Sequence, residues 1–277
     1  MAFGDAEIAR SIDEVLQALD GIIASARQQQ SRLGFFAALY RKVTARVKAG
    51  IAQGYFADGP RMERLDVVFA NRYLGALARW QEEKRPTEAW QLAFSAAEKW
   101  RPILLQHLLL GINAHINLDL GIAAATVAPG AELASLQDDF ERINEILFSL
   151  VAGVEAVVGR VSPAIAWLDR LGGRIGQELV RFSLEVARDE AWTFAQDLAR
   201  VGHQQWSSLI ELRDHETTVV GQRVLSPGPI LSLGLLWIRL RETASVGEIL
   251  DLLEALPEES FQTLEARRRA RGEAAKS

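Results

Sequence analysis

From Ile103 to Val127 the chain is apolar almost without a break, yet that stretch also carries His107, Asn113, His115, Asn117 and Asp119. No other feature restricts the fold as much. A run this long and this apolar belongs either in a bilayer or at the centre of a protein. An aspartate at mid-bilayer costs about 2.5–3.5 kcal/mol on insertion scales, so the pattern points to a buried helix and to no membrane span. Within the run His107, Gly111, His115 and Asp119 recur every four residues. At about 100° per residue, all four lie along one slowly curving helix face. Two imidazoles and a carboxylate buried among leucines are costly unless paired, hydrogen-bonded or bound to an ion, so this ladder is the candidate site. His107, His115 and Asp119 are its candidate catalytic residues.

His115 and Asp119 are one turn apart and face the same way, the spacing with which helices hold a divalent ion. Further ligands must then come from facing helices. Asp66 is the candidate, because it sits beside Met62, Phe69 and Tyr73 on a helical projection; its alternative is a buried ion pair with Arg72. His107 lies farther from Asp119 than one coordination sphere spans, which leaves it a proton-handling or orienting role. Gly111, lacking a side chain, leaves room between the histidines for a ligand or another helix. Two other readings stay open for the same residues: metal-free acid–base or ligand binding, and plain packing in which the polar groups bond to neighbouring helices.

Asn113, Asn117 and Asp139 complete the set as candidate cofactor-binding residues. The projection turns both asparagines away from His107, where helix contacts are the plainer role. Asp139 belongs to the run DDFERINE, residues 138–145, which resembles the acidic magnesium-binding helix of terpene synthases. Carboxylates opposing the dipole at a helix start are the simpler explanation. His203 and His215 have no diagnostic partner and read as surface residues.

Helical periodicity recurs along the chain while strand signals are sparse, which predicts an all-α, multi-helix bundle. The one exception is TTVVGQRV, where a small β-hairpin near 217–225 is expected. Pro60 opens a helix, Thr87 caps another, and Gly172 with Gly173 break a third region. The chain of 277 residues reads as one helical domain over 1–257, followed by a charged, flexible tail over 258–277. With a formal charge of −5 it offers no field for a phosphate backbone, so nucleic acid is not an expected partner. The absence of cysteine removes thiolate chemistry, and any metal would need nitrogen and oxygen ligands. The N-terminus lacks a secretory pattern, which makes the cytoplasm the expected location.

Two blocks, DGPRMERLDVVFANRYL and LLGINAHINLDL, resemble a bacterial all-helical domain family of unknown function with a His-Ile-Asn-x-Asp-Leu signature. The likeness extends from about Phe35 to Trp206. It implies Asp66, Asn113, His115, Asn117 and Asp119 as the marked polar residues, and it carries no activity.

The expectation is therefore a small-molecule enzyme with a buried His/Asp site and, in one version, a bound divalent metal ion. Its alternatives are a non-catalytic binding protein for an apolar small molecule and a structural homo-oligomer with an interface between Ile230 and Leu256.

Overall fold

The computed structural model describes residues 8–165 and 175–274, and among them helix is the only regular secondary structure. Helix α1 (Ile12–Gln29) starts where the Ser11 side chain accepts a hydrogen bond from Glu14 N, and it ends at Gln30 in the left-handed conformation. Its stripe Ile12, Val15, Leu19 and Ile23 is buried against α2 (Gly34–Ala52). Helix α3 (Gly59–Gln81) is capped by Asp58 and carries Pro60 in its first turn, as the sequence predicts. Helix α4 (Glu88–Ala97) follows Thr87, whose side chain makes no cap bond. Asp214 supplies the cap from a distance, accepting from Glu88 N at 2.7 Å and Ala89 N at 2.9 Å.

The apolar run forms one continuous central rod: α5 (Leu104–Ile112), a π-helical segment (Asn113–Leu120) and α6 (Gly121–Val127). By length and composition Leu104–Val127 is apolar enough to cross a membrane, and 89% of its most apolar window is buried inside the protein. Around it stand α2, α3, α4, α7 (Leu133–Val161), α8 (Ile175–Arg200) and α9 (His203–Leu225). Gly121 lets α8 approach closely, since a Cβ there would meet Ala191 O at 2.8 Å.

The hairpin expected near 217–225 is absent: those residues belong to α9. Tertiary contacts override the β-propensity of this threonine–valine run. Thr218 Oγ1 bonds back to Asp214 O at 2.8 Å, Thr217 is buried, and Asn113 on the rod donates to Thr217 O at 2.8 Å. The chain ends in α10 (Pro229–Arg239), α11 (Val246–Glu254) and α12 (Phe261–Ala274). Helix α10 leaves Ile230, Leu231 and Leu233 exposed. The charged C-terminal segment, expected outside the core, contributes buried Phe261 and Leu264 to it, with the Arg46 guanidinium over the Phe261 ring. The break expected at Gly172 and Gly173 lies outside the described residues.

Candidate functional site

The ladder is divided. The wider turn of the π-segment re-phases the residues that follow α5, and α2 presses two adjacent phenylalanines against the rod. Phe36 lies where a Gly111 Cβ would stand, 2.4 Å from its Cδ2 atom. Of the two occupants expected beside Gly111, the second helix is the one found there. The Phe36 ring packs edge-on to His115 and Phe35 edge-on to His107, with centroids 5.6 and 5.9 Å apart. The two histidines therefore open into different cavities, and the shared hollow expected from the four-residue spacing does not form.

His115 is held on every side but one. Its Nδ1 lies 3.3 Å from Asp119 Oδ2, Phe69 stacks on its ring with centroids 3.5 Å apart, and Tyr40 meets it edge-on at 4.5 Å. Asp119, fully buried, also accepts from Trp90 Nε1 at 2.8 Å and Arg72 Nε at 3.1 Å. Asp119 thus fixes the imidazole so that the Nδ1 proton points to the carboxylate and Nε2 keeps a lone pair. Nε2 is buried with no hydrogen-bond partner, and His115 lines a cavity of about 80 Å³. Burial lowers the His115 pKa, while the hydrogen bond to Asp119 works in the opposite direction.

Asp66 enters the same cavity from α3, as its projection predicts, and is only 7% exposed. The alternative ion pair with Arg72 is not made, for Arg72 binds Asp119. Asp66 Oδ2 is buried without a partner, and burial followed by the charge of Glu63 pushes its pKa up to about 8. At neutral pH the carboxyl keeps its proton and is a donor. Tyr40 adds a buried hydroxyl beside Thr44 without a hydrogen bond of normal geometry; burial, then Asp66, raise its pKa well above the ordinary range.

The rest of the lining is apolar. Phe36, Leu39, Val43 and Val47 form one wall from α2, while Ile143, Leu147, Leu150, Val151 and Val154 form another from α7. Both sets keep helical spacing over eleven residue steps, which at 1.5 Å per residue makes the slot about 16 Å long.

The remaining predicted residues are committed elsewhere. Asn117 donates to Asn113 Oδ1 at 2.8 Å and Asn113 donates to Thr217 O, so both tie the rod to α9 and neither lines the slot. Asp139 is fully buried and accepts from Ala57 N at 2.7 Å and Asp58 N at 3.1 Å, with Arg61 at 3.4 Å. It orders the turn before α3 and is not a cofactor ligand of this slot. His115, Asp119 and Asp66 do not make a metal cluster: among the described residues no group of three or more His, Asp or Glu could hold an ion. His203 packs at a tilt against Trp206, and His215 is exposed with Glu88 3.5 Å away.

Tyr40 was missing from the sequence reading, although the spacing of Phe36, Tyr40, Val43 and Val47 marks one buried helix face. Neither a curated protein nor a solved structure matches the chain. The profile of a family of unknown function, DUF5995, matches residues 12–227. That span contains the whole rod, the slot and its three polar groups, and by it the chain belongs to the DUF5995 family.

Proposed function

We propose that the chain binds an elongated apolar small molecule bearing one hydrogen-bonding head, with the head between Asp66 and His115. One observation carries this reading: Asp66 Oδ2 and His115 Nε2 are both buried without partners, on residues that line the same slot, and Tyr40 is the one other polar residue of that lining. Leaving either atom unsatisfied costs about 1–3 kcal/mol, and a ligand that pairs both recovers that cost. The protonated Asp66 donates and the neutral His115 Nε2 accepts, so the matching head both accepts and donates, as a hydroxyl does. A cavity of about 80 Å³ lies below the 300–1,000 Å³ of sites that enclose drug-sized ligands. A long tail therefore enters as α2 and α7 side chains spread.

The donor set suits a neutral head better than a divalent ion, since one lone imidazole nitrogen and one protonated carboxyl offer no charged coordination shell. The test is titration of the full chain with dodecanol and with dodecane. The alcohol is expected to bind about tenfold tighter, and Asp66→Leu to erase that preference; equal binding of both by the natural protein rejects the reading.

A second reading is favoured by the Asp119–His115 pair, which resembles the arrangement that orients a general base, together with an acid of pKa about 8 in the same slot. In it, Asp66 protonates the head hydroxyl as its C–O bond breaks and water leaves, while His115 Nε2 takes a proton from the adjacent carbon, whose electron pair forms the C=C bond. Native mass spectrometry separates the two. A single co-purified species favours binding alone, and two species related by loss of water favour proton-transfer chemistry.

A further inference from the structure

The cavity that receives His107 is built differently from the slot, and no residue lines both. It measures about 50 Å³ and lies where the N-terminal ends of α2 and α5 meet the loop between α10 and α11. Its polar wall is Arg32, His107, Arg239 and Glu242. From this wall we infer a second binding site, for a small oxyanion that retains one hydroxyl.

Charge comes first. Glu242 is occupied: its Oε1 accepts from Leu104 N at 3.2 Å and from the Ser162 hydroxyl, and its Oε2 lies 3.5 Å from Arg239 Nη1. Two guanidiniums thus face one carboxylate, which leaves one positive charge for the pocket. Burial and the charge of Arg239 both lower the Arg32 pKa, as two cations short of counter-charge require. Among the described residues Arg32 donates only through Nη1, to Ala97 O and Lys99 O at 3.4 Å each. Arg239 donates only through Nε and Nη1, the former to Trp100 O at 2.7 Å. Each keeps an Nη2 able to grip an oxyanion.

His107 then selects within that class. It is 7% exposed, its ring bonds to the backbone of Pro102, and its Nε2 is buried with no partner. Burial, then the charge of Arg32, hold its pKa down to about 3, so at neutral pH Nε2 is an acceptor. An oxyanion with no proton would set a lone pair against that nitrogen. One that carries an O–H gives two acceptor oxygens to the arginines and donates to His107. A hydroxycarboxylate and a phosphate monoanion share this chemistry. Arg239 and Glu242 lie beyond residue 227, so half of the polar wall comes from outside the family-matched span.

The test is a nitrogen-detected NMR titration of the full chain near pH 6, following the His107 ring with glycolate, acetate and phosphate. Glycolate is expected to shift His107 Nε2 and to bind about tenfold tighter than acetate. His107→Phe should abolish that preference while keeping weak binding of both. Arg32→Met, which also gives up the long bonds to Ala97 O and Lys99 O, should weaken both about tenfold while the protein stays folded by circular dichroism. Phosphate binding in place of glycolate assigns the head group as phosphate. The inference is overturned if none of the three anions moves the His107 resonance at about 50 mM, well above a Kd of about 1 mM. It is equally overturned if acetate binds as tightly as the better of glycolate and phosphate in the natural protein.

Discussion

Replacing Asp66 by Asn keeps the shape of the side chain and removes its titration. In the folded protein the Asp66 carboxyl holds its proton up to about pH 8, because burial in the slot disfavours the charged form. In the unfolded chain it loses that proton near its ordinary value of 3.8. Between those values the folded state binds one more proton than the unfolded state, so stability falls as pH rises, by about 1.4 kcal/mol per pH unit. By pH 7 the cost to the natural protein is about 4 kcal/mol, and at pH 5 about 1.5 kcal/mol. Asp66→Asn has no such slope. Urea unfolding of both proteins at pH 5, 6 and 7 should therefore show the variant gaining on the natural chain with each step. His107 and His115 titrate in both proteins and cancel from the difference. A stability difference that stays constant across this range would refute the claim that Asp66 is buried as a neutral acid.

On the acid side the sign reverses for His107, whose folded pKa of about 3 lies below its ordinary 6.5. The folded state binds fewer protons there, so the stability present above pH 6.5 is lost on acidification; His107→Gln should flatten that loss by about 3 kcal/mol at pH 4, read by the same unfolding series. Asp119→Ala removes the buried carboxylate that Arg72, the Trp90 indole and His115 all bond to and should cost about 3–5 kcal/mol in chemical denaturation. Gly111→Ala drives a methyl into the Phe36 ring and should destabilise by about 1–3 kcal/mol or more, seen as a lowered denaturation midpoint. Asp139→Ala unties the turn before α3 at a cost of about 1–3 kcal/mol and should leave dodecanol affinity unchanged, because Asp139 does not line the slot.

Much of this arrangement is legible in the residues alone. The Ile103–Val127 run forms the buried rod, His115 and Asp119 do meet at i and i+4, and Asp66 does point inward. These are consequences of helical period and of where apolar side chains go, both properties of a short stretch of chain. The sharing of one hollow by His107 and His115 failed, because the same period cannot register that Phe36 from another helix fills the gap at Gly111. Asp139 reads in the sequence as a helix-start carboxylate with a weaker likeness to a magnesium-binding helix, and only its contacts with Ala57 and Asp58 reveal a turn clamp. The polar wall around His107 joins Arg32 to Arg239 and Glu242, residues far apart in sequence that no local pattern relates.

Sequence by itself determined that the chain is helical and that a polar line runs down its most buried helix. Tertiary structure decided which of those polar groups found partners within the protein and which still lack one. The reason is that a helix face depends on residues three and four apart, whereas pairing a buried charge or lone pair depends on whichever distant side chain the packing delivers to it.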